Sequence, residues 1–308
     1  MMARGMQGAL EVGLVGCGNW GRHILRDLVA LGCRAIVVAR SPESRARAGD
    51  GGAAAVVESV ADLPVVAGVV VATPSATHAG LIEALLGRNV PVFVEKPFTN
   101  DAETAARLVA AAPERLFVMD KWRYHPGVEA LRDIARSGEL GPPAGLRTTR
   151  VQWTSSHADT DVAWHLAPHD LAIALEVLGA IPEPRAAHAH VVDGEAVGIM
   201  GLLGGDPWHV LEISHGYVAH RREVRLVCRD GSAVLRDAYA DHIEVARAGS
   251  PQPEPERRPI SGEMPLLLEL RAFVEHLQGG PPPRSSAAEG LANVRAVAEL
   301  RRLAGLGA

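Results

Sequence analysis

Along the first third of the chain, short apolar runs rich in Val, Ile and Leu alternate with longer stretches whose apolar positions recur at helical spacing. The runs "ALEVGLVG", "RAIVVA", "VVAGVVVAT", "VPVFVE" and "RLFVMD" predict buried strands. Helices are predicted between them at about 20–31, 43–49, 77–88 and 101–112. Strands and helices in that order predict a parallel sheet covered on both faces. Ligands of such sheets bind beyond the carboxyl ends of the strands.

After residue 144 the pattern changes. "GLRTTRVQW", "RAAHAHVVD", "AVGIMGLLG", "WHVLEISHG", "REVRLVCRD" and "SAVLRD", joined by Gly-rich and Pro-rich turns, predict a mostly antiparallel sheet. Helices at 168–178 and from near 264 are expected on one of its faces, and a last helix at about 286–304 follows "GGPPPRSS". The stretch "GSPQPEPERRP", 249–259, reads as an exposed loop. The expected class is α/β plus α+β, divided into domains at 1–120 and 121–308.

The first strand runs into Gly16-Cys17-Gly18-Asn19-Trp20-Gly21, a G-x-G-x-x-G set between a predicted strand and a predicted helix. Gly16 suits the tight turn, Gly18 a close approach of backbone to a pyrophosphate, and Gly21 close packing of helix on strand. The helix N-terminus then faces the phosphates. Asn19 and Trp20 belong to the same turn, so the motif predicts a dinucleotide-binding domain of the Rossmann type over 1–120. The second strand ends "VVARSPESR", with Ala39 where an NAD enzyme commonly carries Asp or Glu. A carboxylate there repels a 2′-phosphate, whereas Arg40 and Ser41 can hold one. NADP(H) is therefore favoured over NAD(H). In the alternative, Arg40 is an exposed loop residue and Glu43 reaches the ribose.

Composition narrows the remaining classes. At 308 residues and 47% apolar content the chain can fill two cores. The net charge of -5 is spread along the sequence, and pairs such as Arg221-Arg222 and Arg257-Arg258 have acidic neighbours, so neither a nucleic-acid face nor a membrane-seeking helix is expected. The spacings of Cys17, Cys33 and Cys228 fit neither a disulfide framework nor a zinc site. The N-terminal segment lacks a signal-peptide core, and no apolar run approaches about 20 residues. A cytoplasmic protein acting on a small molecule is expected.

"ATPSATHAGLIEALLGRNVPVFVEKPFT", 72–99, adds a resemblance. Strand-Thr-Pro-x4-His followed by strand-Glu-Lys-Pro resembles the Gfo/Idh/MocA oxidoreductases, and "WRYHPGVEALRDIARSGELG", "WHLAPHDLAIALEVLG" and "PLLLELRAFVEHLQGG" extend it over nearly the whole chain. It implies that Thr73, Pro74 and His78 line the cofactor, and that Glu95 and Pro97 shape the nicotinamide site. Lys96 then contacts the reacting oxygen. The residue chemistry agrees, since a lysine closing a strand on the cofactor side can protonate a carbonyl oxygen while hydride moves. Simpler readings stand beside these: Thr73 and Pro74 start a helix, and Lys96 is a surface lysine. The resemblance further implies a substrate held over the carboxyl edge of the first sheet and covered by the second domain. A homodimer or homotetramer formed through the C-terminal sheet is also implied.

The family pattern Asp-x-Gly-x-His falls on His165, Ala167 and His169, so a histidine replaces the aspartate. Pro168 suits a first helical turn, which predicts His169 near a helix N-terminus, held neutral by the dipole and assisting proton transfer. Otherwise it is a structural histidine. His165 cannot supply the missing negative charge, which points to changed substrate preference, a proton-relay role or weakened catalysis; Asp161 could restore a carboxylate. A metal site from Asp161, His165 and His169, or from His157 with these, is disfavoured because Pro168 is expected to interrupt the helix. Trp122, Arg123 and Tyr124, with Trp153 and Trp164, offer aromatic faces and a charge for a sugar or other ring. Together these features predict an NADP(H)-dependent oxidoreductase acting on a ketone or secondary alcohol of a sugar, sugar nucleotide or cyclitol. Reduction of a C=N bond and a non-catalytic cofactor-binding role are the rivals.

Overall fold

The computed structural model describes residues 9–153, 160–249 and 254–307. In chain order the elements of the first third are β1 (Glu11–Val15), α1 (Gly21–Ala30), β2 (Arg34–Val38), α2 (Pro42–Asp50), β3 (Ala55–Val57), β4 (Gly68–Val71), α3 (His78–Leu86), β5 (Val92–Glu95), α4 (Ala102–Ala111) and β6 (Leu116–Met119). Then follow α5 (Pro126–Ser137), β7 (Pro143–Trp153), α6 (Val162–Leu178), β8 (Pro184–Val192), β9 (Glu195–Gly204), β10 (Trp208–Ser214) and β11 (Gly216–Cys228). The chain closes with β12 (Gly231–Leu235), β13 (His242–Arg247), β14 (Glu256–Pro259), α7 (Pro265–Leu277) and α8 (Ala287–Leu303). No helix among the described residues is long and apolar enough to cross a membrane.

The chain divides into two compact units, the first built from residues 1–99, 103–119 and 266–291. Its sheet has the order β3-β2-β1-β4-β5-β6 with every pair parallel. That is the expected doubly wound arrangement, and its order reverses between β1 and β4, the point at which sheets of this kind bind their ligands. The strands are near-continuous apolar runs because helices bury both faces. Ile24, Leu25 and Leu28 of α1 join Val12, Leu14 and Val37 in one core. Helix α7 returns from far along the chain to the same core, where Phe273 stacks on Phe93 with ring centroids 4.9 Å apart. Each such aromatic contributes about 1.5–3 kcal/mol through burial.

The second unit comprises residues 100–102, 120–265 and 292–308. Its sheet has the order β14-β13-β12-β11-β7-β10-β9-β8 and is antiparallel except where β10 runs parallel to β7. Alternation along β9 turns Ile199 and Leu203 inward and leaves Met200 and Leu202 exposed. Val191 and Val192 on the neighbouring strand β8, and Tyr217 and Val218 on β11, are exposed large apolar side chains.

Two sequence expectations are corrected. Part of the expected loop 249–259 is the edge strand β14, paired antiparallel with β13 and anchored by Arg258, which donates to both carboxylate oxygens of Glu139 at 2.6 and 3.1 Å. Residues 250–253 of that stretch lie outside the described residues. The helix expected at 168–178 instead begins at Val162, because Asp161 caps it by accepting the Trp164 N–H at 3.1 Å. Pro168 is interior, and its lost hydrogen bond and ring crowding, about 3 kcal/mol in an ordinary helix, are offset by near-complete burial of the segment. The Pro168 carbonyl accepts from Asn293 Nδ2 at 2.9 Å. His169 therefore lies beyond the first turn, where the dipole argument no longer applies.

Candidate functional site

The glycine turn shows why each of its glycines is there. Gly16 has φ 95°, and a Cβ on it would come within 2.7 Å of the Ala72 carbonyl oxygen. A Cβ on Gly21 would stand 2.3 Å from the Gly16 oxygen, so α1 can cross the turn only without one. At Gly18 a Cβ would meet nothing within 4 Å. Gly16 and Gly21 thus serve the fold, and Gly18 leaves open space above backbone at the start of α1. Trp20 caps that helix without a side-chain hydrogen bond to its amides, so the first-turn N–H groups suit an anion. Asn19 is exposed beside them. These residues fit a dinucleotide pyrophosphate.

At the end of β2, Ala39 is buried and Arg40 exposed. Ser41 caps α2, its hydroxyl accepting the Ser44 N–H at 3.2 Å. Hydrogen bonds from its own backbone and from Ser41 hold the exposed Glu43 carboxyl below its usual range. The charged pattern around the expected adenosine ribose is therefore an exposed guanidinium followed by an ionised carboxylate.

The ends of β4 and β5 are tied together by side chains. The buried His78 ring places Nδ1 2.9 Å from the Pro97 carbonyl oxygen and Nε2 2.9 Å from that of Thr73. Burial is the largest influence on His78 and pushes its pKa down, against the upward pull of those carbonyls. Thr73 and Thr77 hydroxyls lie 2.7 Å apart, and Thr77 Oγ1 donates to the Pro74 carbonyl at 2.7 Å. The Glu95 carboxylate accepts the Trp20 indole N–H through one oxygen and the Lys96 backbone N–H, at 3.1 Å, through the other. The Lys96–Pro97 peptide bond is cis. Within the first unit, the glycine turn, the Thr73-Pro74 loop and the Glu95-Lys96-Pro97 segment thus meet at the carboxyl edge of the sheet.

In the second unit His165 and His169 are both half-buried, one turn apart on α6. Asp170 is buried and paired with Arg150 Nε at 2.6 Å, and the Arg150 guanidinium lies 4.4 Å from the Trp122 ring centre. Trp122 stacks in turn on His125 at 5.0 Å. Arg123 is engaged by Glu176 at 2.9 Å, which also accepts from Arg132 at 2.7 Å. Tyr124 and Trp164 are buried, and Arg301 lies 5.8 Å over the Trp164 ring, whereas Trp153 is 72% exposed. The Asp161 carboxylate serves the α6 cap and an ion pair with Arg301 Nε at 2.8 Å. Among the described residues no group of three or more His, Cys, Asp or Glu could hold a metal ion; His157 lies outside them.

Sequence reasoning missed His215. Its Nε2 lies 3.0 Å from His165 Nδ1. Fifty residues separate the two in sequence, and only the docking of α6 on the sheet brings them together. A histidine near the end of the predicted run "WHVLEISHG" was the available signal.

Residues 10–119 match the family model described as an oxidoreductase family with NAD-binding Rossmann fold. The chain is 29% identical over 243 residues to a UDP-N-acetylglucosamine 3-dehydrogenase of Acidithiobacillus ferrooxidans, covering 75% of this chain and 73% of the relative. It is 28% identical to an inositol 2-dehydrogenase of Ralstonia nicotianae, covering 92% of this chain and 90% of the relative. The solved 3-ketoreductase of Actinomadura kijaniata, in complex with TDP-benzene and NADP, shares the fold, with a TM-score of 0.83 at 21% identity over 96% of this chain and 97% of that one.

Proposed function

We propose that this chain, whose residues 10–119 match an oxidoreductase family with NAD-binding Rossmann fold, is an oxidoreductase of the Gfo/Idh/MocA type that transfers a hydride between NADP(H) and a ketone or secondary alcohol of a sugar, sugar nucleotide or cyclitol. The observation that carries this reading is the meeting of three segments at one sheet edge. Trp20 joins Gly16–Gly21 to Glu95, and His78 joins Thr73 to Pro97, with Lys96 between the joined residues in sequence. The nicotinamide, when bound, gives or takes the hydride. Gly18 and the α1 amides hold its pyrophosphate, and Arg40 and Ser41 hold the 2′-phosphate. Lys96 gives a proton from its ammonium to the carbonyl oxygen during reduction and takes it back during oxidation. His169 and His165 are assigned to the substrate hydroxyls and their protons. Activities carried by the names of two relatives, both dehydrogenases of hydroxyl-bearing rings, support the substrate class. The exposed apolar side chains of β8, β9 and β11 support self-association through the second sheet.

The test is a paired fluorescence titration with NADPH and NADH, followed by a screen of keto sugars, sugar nucleotides and inositols. Wild type is expected to bind NADPH more tightly. Lys96→Ala is expected to keep that affinity and lose about 10²–10⁴ in kcat. Binding of neither cofactor overturns the reading, and so does full activity in Lys96→Ala.

A further inference from the structure

Residues directly opposite each other on an antiparallel ladder share a face, and like charges placed so repel. In the second unit Arg222 of β11 is the ladder partner of Arg150 of β7. The two guanidiniums are provided for differently. Arg150 is buried, paired with Asp170 at 2.6 Å, and lies over the Trp122 ring. Arg222 is half-buried and donates only to neutral oxygens: the Val151 carbonyl at 3.0 Å, the Arg221 carbonyl at 3.1 Å and the side-chain amide of Gln152. Among the described residues it forms no ion pair.

This arrangement is costly to the fold. Burial first, and the Arg150 charge second, push the Arg222 pKa from 12.5 down to about 10, against the pull of Asp170 and Asp237. The group remains a cation at neutral pH. A neutral amide could donate to the same carbonyls without opposing Arg150. The carboxylates that act on Arg222 are engaged elsewhere, Asp170 by Arg150, and Asp237 by the Tyr239 backbone N–H at 3.0 Å with His220 at 4.0 Å. The hydrogen bonds of Arg222 use Nη1 and one hydrogen of Nη2, which leaves the Nε–H and a second Nη2–H. Gln152 gives its amide oxygen to Arg222, so its NH₂ is a further donor beside them. Donors around a charge with no counterion select an anion, and a pair of guanidinium N–H groups matches two oxygens of a phosphate or carboxylate.

We infer that Arg222 and Gln152 form an anion subsite of the second unit, which holds a phosphate or carboxylate group of the substrate. That the anion belongs to the substrate rests on the function proposed above; the anion subsite itself does not. The subsite shares a layer with the α6 residues assigned to the substrate, because Asp170, which pairs with the ladder partner of Arg222, directly follows His169. The uncompensated charge narrows the substrate class. Inositols and plain keto sugars carry nothing for Arg222 to neutralise, whereas sugar phosphates, sugar nucleotides and sugar acids do. An anion bound there also relieves the repulsion between Arg222 and Arg150.

The experiment is ¹H–¹⁵N spectroscopy of the arginine Nε–H groups in the full-length protein, with the Arg222 signal assigned from its loss in Arg222→Lys. UDP, glucuronate and the neutral myo-inositol are added in turn. The Arg222 signal is expected to shift with UDP or glucuronate and to stay in place with myo-inositol. A shift with UDP assigns a phosphate, and one with glucuronate alone assigns a carboxylate. Gln152→Leu, read on the same signal, is expected to weaken the responding anion about tenfold. On a charged substrate that wild type turns over, Arg222→Gln, which keeps an amide donor for the strand, is expected to raise KM about 10- to 100-fold at unchanged KM for NADPH. NADPH binding is titrated separately; its failure overturns the assignment to a substrate and leaves the anion subsite standing. No shift with either anion, or an equal shift with myo-inositol, overturns the subsite. A shift with the anions but an unchanged KM in Arg222→Gln overturns its place in substrate binding.

Discussion

The indole N–H of Trp20 is donated to the carboxylate of Glu95, seventy-five residues away, so the residue at the N-cap position of α1 also fixes the end of β5. Glu95 is 8% exposed, and its second oxygen accepts the backbone N–H of Lys96 at 3.1 Å. Glu95→Gln must turn an NH₂ toward one of these donors. A loss of about 1–3 kcal/mol in urea unfolding is expected. Trp20→Phe removes one donor from the buried carboxylate, so a loss of about 1–3 kcal/mol is expected, with a several-fold weaker NADPH affinity.

The glycines of the turn separate fold from ligand. Gly21→Ala places a methyl 2.3 Å from the Gly16 oxygen and is expected to lower the melting temperature markedly. Gly18→Ala meets no atom of the chain within 4 Å. It is expected to melt like wild type while losing NADPH binding, read by calorimetry and fluorescence titration on the same samples.

Cofactor choice is tested at Arg40. A charge-assisted hydrogen bond to phosphate contributes about 1.5–3 kcal/mol, so Arg40→Ala is expected to weaken NADPH binding about 10- to 100-fold and to leave NADH binding nearly unchanged. Equal losses for both cofactors would remove Arg40 from the 2′-phosphate site and leave Glu43 as the residue facing the ribose.

Acid stability has a source in the second unit. His209 is fully buried, its Nε2 3.1 Å from the Thr148 hydroxyl, and burial pushes its pKa from 6.5 down to about 3. Below pH 6.5 the unfolded chain binds a proton that the folded chain refuses until about pH 3, so stability falls with falling pH across that window. His209→Gln retains a partner for Thr148 and does not titrate. Its unfolding free energy is expected to fall less steeply between those limits, by up to about 1.4 kcal/mol per pH unit. His78 and His125, both lowered chiefly by burial, leave a residual slope of the same sign.

The first sheet was readable because its evidence is local. A buried parallel strand is a continuous apolar run, and Gly16, Gly18 and Gly21 mark the turn at fixed spacing. The start of α6 was misjudged because Pro168 favours a first turn by itself, and only burial of the segment and the cap at Asp161 override that preference. Strand β14 was hidden for a related reason. "ERRP" has no apolar alternation; it is held by its ladder with β13 and by the clasp of Arg258 on Glu139, a residue 119 positions away. In the candidate site, residues that belong to one motif, such as Lys96, were legible. Relations between motifs were not: no spacing rule places Trp20 against Glu95 or His215 against His165.

Helix α7 carries a consequence for biogenesis. Leu270, Phe273 and Val274 fill the core whose other walls are β1, β2 and β5, yet they are translated after the entire second sheet. At about 5–20 residues per second, a nascent first unit waits on the order of ten seconds with the Phe93 surface uncovered. A ribosome stalled before residue 265 therefore displays a sticky, half-walled nucleotide fold, and the cell must shelter it with a chaperone or degrade it.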